Sequence, residues 1–235
     1  MEKKAEMGLG YGSEYQLLRF LGHHRQELEQ YILKQTNLNE NLLYQMEWLD
    51  FPKDETRKSL DGEHKGIDFL PVSLKNKIIN NWKIFWPKKG QNWDAILYLT
   101  PIVPKPELED KWVIVEAKAH LKELESSCKA ENEESIKKIE TALEATKKHF
   151  NINTDKSWMK QYYQLANRLA FVSFMLENGI NCSLLNIYFI NGWTKDSKKN
   201  VLKVNDWKKA IQTEYSYLGI NSDAKKYISE VFIEC

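Results

Sequence analysis

The sequence predicts an α/β fold with a mixed central sheet flanked by helices. Residues 157–178 predict a helix whose apolar surface is too broad for a helix exposed to solvent. Residues 184–190 predict a strand that is largely apolar along its length, as expected for a strand covered on both faces. With the other elements they give the order helix, strand, strand pair, helices, strand and helices, which is typical of a sheet packed between helices.

The first half of the chain predicts two helices, a strand and a loop. Residues 13–33 carry apolar side chains at the spacing of one helical face, and Ser13 is a suitable cap for the start of this helix. A short strand is predicted over 42–48, followed by a charged loop over 50–68 that contains a proline and a glycine. A second, short helix is predicted over 73–85.

The second half predicts a hairpin and several helices. Residues 93–99 and 111–116 are rich in residues that favour strands, and three prolines separate them, so we expect a β-hairpin with a long connection. Apolar side chains lie on one side of an otherwise charged helix over 132–150, which should therefore lie at the surface. Two more helical patterns, over 205–218 and 222–231, follow towards the end of the sequence.

The composition fits a single folded domain. Hydrophobic residues make up 42% of the 235, which is ample for a buried core, and no linker or internal repeat divides the chain. We expect one domain over 1–235, with a core at about 13–190 and a helical C-terminal extension at about 205–235. Because 34 basic residues nearly cancel 33 acidic residues, any surface that binds a polyanion must be a local patch.

Cysteine usage and the apolar pattern indicate a cytoplasmic protein. Cys128, Cys182 and Cys235 are widely separated, match no metal-ligand spacing and cannot all pair, which fits a reducing compartment. Residues 1–6 are charged, and no apolar run of a signal peptide follows them. No stretch approaches the roughly 18 apolar residues that a membrane span needs, so we expect no membrane partner.

One acid-x-lysine triplet, Glu116-Ala117-Lys118, differs in context from the other copies of this spacing. It alone ends an apolar strand, where unpaired charges are costly to bury. Because side chains alternate along a strand, Glu116 and Lys118 should lie on the same face. The same spacing also occurs at Glu2/Lys4, Glu63/Lys65, Glu109/Lys111, Asp196/Lys198, Asp206/Lys208 and Asp223/Lys225.

The hairpin geometry selects a partner for Glu116. If the two strands pair as a symmetric antiparallel hairpin whose turn centre is residue 105, Glu116 faces Asp94. Residue 105 lies within the proline-rich connection. The two carboxylates would then be close enough to share a divalent cation.

Two carboxylates and a lysine can support phosphodiester hydrolysis. Carboxylate oxygens bind Mg²⁺, the cation polarises the phosphodiester and lowers the pKa of a bound water, and the lysine orients that water or stabilises the charge at phosphorus. The alternative is an ordinary ion pair between Glu116 and Lys118, with Asp94 merely starting a strand.

These residues resemble the signature of a known superfamily. Residues 92–95, Asn-Trp-Asp-Ala, followed by Val113-Ile-Val-Glu-Ala-Lys118, are similar to the Asp…Glu-x-Lys signature of the PD-(D/E)XK nucleases, also called restriction-endonuclease-like. The αβββαβ core of that superfamily resembles the element order over 13–190, although Trp93 stands where its name has proline. Residues 12–22 also look like an uncharacterised bacterial group of such proteins.

The resemblance implies a nuclease that uses Mg²⁺, with Mn²⁺ as a substitute. Asp94 and Glu116 would bind the metal and Lys118 would assist the attacking water. The substrate would be nucleic acid, with DNA favoured over RNA. Whether the protein acts as a homodimer is left open. Two alternatives also stay open: a module that keeps the fold and binds nucleic acid or another partner without cleaving, and an interaction protein in which the ion pair only ties the hairpin.

The resemblance also implies accessory residues. Many members use a glutamate of the first helix as a further metal ligand, and Glu14 is preferred here over Glu27. Glu14 could instead only stabilise the first turn of its helix. Some members carry a glutamine on the later helix, where Gln164 is preferred over Gln161, with Arg168 one turn beyond as a phosphate contact. Gln164 could instead be a polar residue at the exposed edge of a core helix.

Tryptophans and lysines together suggest a nucleic-acid face. Aromatic rings can stack on bases and lysines can bind phosphates. The candidates for this face are Trp82, Trp86 and Trp93 with Lys83, Lys88 and Lys89. Four other tryptophans fall at positions expected in the core: Trp48, Trp112, Trp158 and Trp207.

Overall fold

A computed structural model describes residues 11–39, 42–53, 62–106, 108–192 and 202–235. The helices are α1 Ser13–His23, α2 Arg25–Gln35, α3 Val72–Phe85, α4 Glu133–His149, α5 Tyr163–Glu177, α6 Val204–Leu218 and α7 Ser222–Lys225. The strands are β1 Tyr44–Trp48, β2 His64–Lys65, β3 Asn92–Trp93, β4 Ala95–Pro101, β5 Lys111–Lys118, β6 Cys182–Ile190 and β7 Ile228–Glu234. Residues 1–6, from which the absence of a signal peptide is predicted, and part of the predicted 50–68 loop lie outside the described residues.

Five strands form a mixed sheet in the order β1-β4-β5-β6-β7. The β1/β4 and β4/β5 pairs are antiparallel, whereas the β5/β6 and β6/β7 pairs are parallel. Alternate strand residues face two separate hydrophobic clusters: Ile96 and Ile114 belong to the one with α3 to α6, and Leu97 and Val113 to the one with α1 and α2. The predicted mixed sheet flanked by helices is therefore confirmed.

The predicted register of the central hairpin is also confirmed. Ala95 pairs with Val115 and Leu99 pairs with Lys111, which places the centre at residue 105. Asp94 lies one residue before β4, in the position opposite Glu116 if the register is extended. The proline-rich connection lets two apolar strands pair along their length and leaves the acidic residues at the open end of the hairpin.

The first predicted helix is broken into two. The chain bends at His24, whose φ of −129° and ψ of 31° are not helical, so α1 and α2 point in different directions instead of forming one helix over 13–33. The sequence contains no proline there to signal the break. The bend has a tertiary reason, because α1 contacts β5 whereas α2 contacts β7.

The C-terminal prediction of a helix over 222–231 is wrong in its second part. Only α7 is helical, and β7 then extends the sheet by pairing in parallel with β6. The burial of Val231 and Ile233, two residues apart, follows a strand period. The spacing of the apolar residues at 228, 231 and 232 is also compatible with a helix. The pairing with β6 therefore determines that this segment is a strand.

The α5 helix starts later than predicted, at Tyr163 instead of Ser157. Tyr162 adopts a left-handed conformation with a φ of 56°. The backbone N–H of Tyr163 donates to the carbonyl oxygen of Ser126 at 3.2 Å, and the N–H of Gln164 donates to Ser126 Oγ at 2.8 Å. Ser126 therefore supplies the partners for the first turn of α5.

The apolar stretches of the described residues form the core of this sheet and its helices. No helix within these ranges has both the length and the apolar character to cross a membrane.

Candidate active site

The five predicted site residues all line one cleft of about 400 Å³, formed by α1, the start of β4, the end of β5 and the start of α5. They are Glu14, Asp94, Glu116, Lys118 and Gln164. The hairpin register predicts Asp94, Glu116 and Lys118, and the superfamily resemblance predicts Glu14 and Gln164. The fold brings all five residues to the same cleft.

Glu116 is the most enclosed member of the group, with 4% of its surface exposed. Its Oε1 atom forms an ion pair with Lys118 Nζ and accepts a 2.6 Å hydrogen bond from Gln164 Nε2. Its Oε2 atom accepts a 2.8 Å hydrogen bond from Arg168 Nε and lies 2.6 Å from Arg168 Nη2. Burial alone would raise the pKa of Glu116, but the charges of Arg168 and Lys118 hold it below its usual value.

Arg168 holds Glu116 in place from α5. Its Nη1 atom donates to Asn167 Oδ1 at 2.7 Å and its Nη2 atom donates to the carbonyl oxygen of Asn92 at 2.9 Å. The guanidinium lies 5.0 Å from the centre of the Trp93 ring. Every nitrogen of the guanidinium thus has a partner within the protein, and the phosphate contact of Arg168 stays a prediction.

Asp94 faces the same cleft from the other strand of the hairpin. Its Oδ2 atom accepts a 2.8 Å hydrogen bond from the backbone N–H of Ala117, the middle residue of the Glu-x-Lys triplet. Burial, and then the negative charge of Glu116, raise the pKa of Asp94 to about 7, against opposing effects from Ala117, Lys118 and Arg168. Two carboxylates that repel each other in this way favour a proton or a cation beside them.

The donor set fits Mg²⁺ held largely by water and substrate. In the described parts of the chain, no three His, Cys, Asp or Glu side chains gather closely enough to hold a metal ion by themselves. Mg²⁺ commonly uses one or two carboxylates and keeps several waters, which Asp94 and Glu116 satisfy. A cation at Oε1 of Glu116 would share that atom with Lys118 and Gln164.

Glu14 lies in the first turn of α1 and its side chain is exposed. Ser13 is not the cap of this helix, because Gly12 occupies that position and Ser13 Oγ donates to Glu123 Oε2 at 2.9 Å. That bond ties the start of α1 to the turn after β5, beside the cleft. A role for Glu14 as a metal ligand stays a prediction, and Glu27, which forms an ion pair with His24 at 3.6 Å, lies outside the cleft lining.

Glu214 is a residue of this region that the sequence analysis missed. It is buried on α6 and lines a cavity of about 20 Å³ beside Glu116 and Lys118, which is room for about one water. Burial raises the pKa of Glu214 to about 8; the charge of Lys118 acts in the opposite direction, and Glu230 and Glu116 add to the rise. The available signal was a carboxylate on the apolar face of the 205–218 helix.

The predicted aromatic face for nucleic acid is wrong. Trp82, Trp86 and Trp93 are 7%, 3% and 0% exposed, so their rings cannot stack on bases. Trp93 also donates from Nε1 to the carbonyl oxygen of Gly66 at 2.8 Å. The tryptophans predicted in the core are buried: Trp48, Trp112, Trp158 and Trp207. The accompanying lysines are exposed: Lys83, Lys88 and Lys89.

No protein-family model, curated protein or solved structure matches this chain. The resemblance to the PD-(D/E)XK superfamily therefore rests on the residues themselves and on their strand context.

Proposed function

We propose that this protein is a metal-dependent nuclease of the PD-(D/E)XK type that hydrolyses phosphodiester bonds, with Asp94 and Glu116 as ligands of Mg²⁺. The observation that carries the proposal is the hairpin register, because it places Asp94 against Glu116-Ala117-Lys118 in one cleft. Burying two carboxylates and a lysine together costs free energy, and such clusters are found most often at functional sites. DNA is the favoured substrate.

The order of elements supports the same proposal. Among the elements around the site, α1 is followed by β1, β4 and β5, then by α5 and β6, which corresponds to the αβββαβ order of the superfamily. The active residues of the proposal lie on β5, on the residue before β4, and on α1 and α5. This finer assignment of the core is part of the proposal.

Each residue has a distinct role in the proposed reaction. When bound, Mg²⁺ supplies polarisation of the phosphodiester and a water of lowered pKa. Lys118 presents its ammonium beside Glu116, where it stabilises negative charge that develops at phosphorus. Gln164 and Arg168 bind the two oxygens of Glu116 and fix its carboxylate. The N–H of Ala117 donates to Asp94 and fixes the orientation of the Asp94 carboxylate.

Replacing Lys118 tests the proposal. Lys118→Met keeps the volume of the side chain and removes its charge, and we expect the cleavage rate to fall by about 10²-fold or more. Labelled single- and double-stranded DNA and RNA are incubated with Mg²⁺ or Mn²⁺, and circular dichroism checks that the variant is folded. The control is Lys122→Met, an exposed lysine of the turn that follows β5. Wild-type protein that cleaves none of these substrates would contradict the proposal, as would wild-type rates in Lys118→Met.

A module that binds without cleaving is the second candidate, favoured by one observation. The positive charges of Lys118 and Arg168 match the two carboxylates, Glu116 and Asp94, so the centre can be electrically balanced without a metal ion. Titration of the protein with Mn²⁺ in a calorimeter separates the two functions. Heat of binding that disappears in Asp94→Asn supports the nuclease, whereas no binding to the wild-type protein supports the second candidate.

A further inference from the structure

A groove of about 390 Å³ lies between α3 and the segment that begins with β2, and it shares no lining residue with the cleft of the candidate active site. We call it the lysine groove, because five of the residues that line it are lysines: Lys65, Lys83, Lys88, Lys89 and Lys138. Asp68 is the single acidic residue in this lining. A chain whose formal net charge is only +1 therefore concentrates positive charge here.

Among the described residues, only one of the five groove lysines has an acidic partner: Lys138 lies 3.8 Å from Glu134. Lys65, Lys83, Lys88 and Lys89 are exposed, and none of these four forms an ion pair with a described residue. The groove's Asp68 pairs instead with Lys75, which is not part of the lining. Four like charges around one concave surface repel each other, and an anionic ligand relieves that repulsion.

The floor of the lysine groove is closely packed, and its buried rings cannot stack on bases. Trp82 and Trp86 lie with ring centres 6.5 Å apart and planes 17° apart, and both are buried. Gly66 has a φ of +44°, and a Cβ atom there would lie 3.0 Å from the Trp82 ring. The groove therefore offers ammonium groups above a fixed floor, which suits phosphate groups and not the faces of bases.

A second groove continues from the lysine groove to Arg168, the residue that binds Glu116. It has a volume of about 680 Å³ and shares Trp86, Lys89 and Gly90 with the lysine groove. Its far side is lined by Asn92 and Arg168. Arg168 bonds both to Asn92 and to Glu116, so this side chain lies between the second groove and the proposed catalytic centre.

We propose that the lysine groove binds the phosphodiester backbone of a nucleic-acid strand that passes the candidate active site. The strand is held through its phosphates, independently of its base sequence and with a strong dependence on salt. The inference rests on the proposed function in that the bound strand is the substrate, but binding by the groove does not itself require cleavage.

The test is a binding measurement without divalent cations, so that no cleavage occurs. Fluorescence anisotropy of labelled single- and double-stranded oligonucleotides is followed from about 50 to 200 mM salt. The test variant is Lys83→Ala/Lys88→Ala/Lys89→Ala. Its matched control, Lys77→Ala/Lys148→Ala/Lys209→Ala, removes three exposed lysines that do not line the groove.

We expect the test variant to bind more weakly and the control to bind as the wild type does. Each lost phosphate contact lowers the slope of log affinity against log salt by about 0.9 for duplex DNA and about 0.7 for single strands. The slope should therefore fall by up to about 2.7 for duplex DNA. Equal affinity and slope in the test variant and the wild type would overturn the inference. So would polyglutamate competing as well as DNA, because the ligand would then be an acidic polypeptide.

A cleavage assay on the same variants separates this inference from the proposed function. If the wild type cleaves DNA and the groove variant has an unchanged KM, the proposed role of the lysine groove is overturned and the proposed nuclease function is not. Binding that depends on the three lysines, in a protein that cleaves nothing, would support the groove and overturn the nuclease.

Discussion

Glu116 is buried at the end of β5, where a carboxylate without partners would destabilise the fold. Lys118 supplies one positive charge from the same strand, and Arg168 supplies another from α5. Removing one partner of a buried ion pair typically costs about 3–5 kcal/mol, because the other charge is left buried. The stability of the chain and the geometry of the proposed centre thus depend on the same contacts.

Arg168 provides a prediction at the residue scale. Arg168→Lys keeps the charge, but it cannot contact Glu116 and Asn92 together or lie flat on the Trp93 ring. We expect the free energy of unfolding to fall by about 2 kcal/mol or more. Urea denaturation measures it, with the exposed Arg25→Lys as a control that should change it by about 0.5 kcal/mol at most. Equal losses in the two variants would show that Arg168 is not a specific support of Glu116.

The sequence could predict the hairpin half of the site but not the support around it. Asp94 and Glu116 lie on paired strands, so alternation and a turn centre are enough to place them together. The sequence predicts Gln164 only as one of two candidate glutamines. Its contact with Glu116 depends on the orientation of α5 relative to the sheet, which the sequence pattern does not give. The positions of Arg168 on α5 and Glu214 on α6 likewise depend on how each helix packs, which strand and helix periods do not determine.

At the scale of elements, the start of α5 decides where Gln164 and Arg168 lie. Ser126, in the segment before α4, accepts hydrogen bonds from the N–H groups of Tyr163 and Gln164. Helix termini have N–H groups without partners inside the helix, and a serine oxygen is a common substitute. Here the substitute comes from a residue far away in the sequence, which explains why the predicted start at Ser157 was too early.

Removing this contact is the prediction at the element scale. Ser126→Ala keeps the carbonyl bond to Tyr163 and loses the hydroxyl bond to Gln164. We expect the free energy of unfolding to fall by about 1 kcal/mol and the amide of Gln164 to exchange faster with deuterium. The adjacent Ser127→Ala, which lacks that bond, is the control. Unchanged exchange at Gln164 in Ser126→Ala would contradict the prediction.

The elements that sequence patterns placed correctly are those with a strong local pattern, including β6, whose apolar run predicts a buried strand although its partner β5 is distant in sequence. The hairpin of β4 and β5 and the amphipathic α4 follow from local periodicity. The break between α1 and α2, and the formation of β7, are decided by contacts with strands far along the chain. Those contacts override local preference, which is weak in short apolar segments.

At the scale of the whole molecule, the sheet separates two hydrophobic clusters, and ionisable groups lie where the end of the central strand β5 meets the helices. Burial raises the pKa of Asp94 to about 7 and that of Glu214 to about 8. These residues come from distant parts of the sequence, from the start of β4 and from α6, and the charge of Glu116 raises the pKa of both. The pH dependence of the free energy of unfolding therefore reports the protonation of Asp94 and Glu214 in the folded protein.

Glu214 gives the prediction for the whole molecule. In the unfolded chain its carboxyl has the ordinary pKa of 4.5, whereas in the folded protein burial raises the pKa to about 8. Between these values the folded protein keeps a proton that the unfolded chain has lost, so stability is full at low pH and falls as pH rises towards 8.

The free energy of unfolding should therefore decrease from about pH 5 to pH 9, at up to about 1.4 kcal/mol per pH unit for each such group. Glu214→Gln cannot lose a proton, so its curve should fall less steeply, with the remaining slope contributed by Asp94. Urea denaturation at several pH values measures both curves. Glu140→Gln, at an exposed position on α4, serves as the control and should follow the wild type. Parallel curves for Glu214→Gln and wild type would mean that Glu214 is ionised in the folded protein throughout this range.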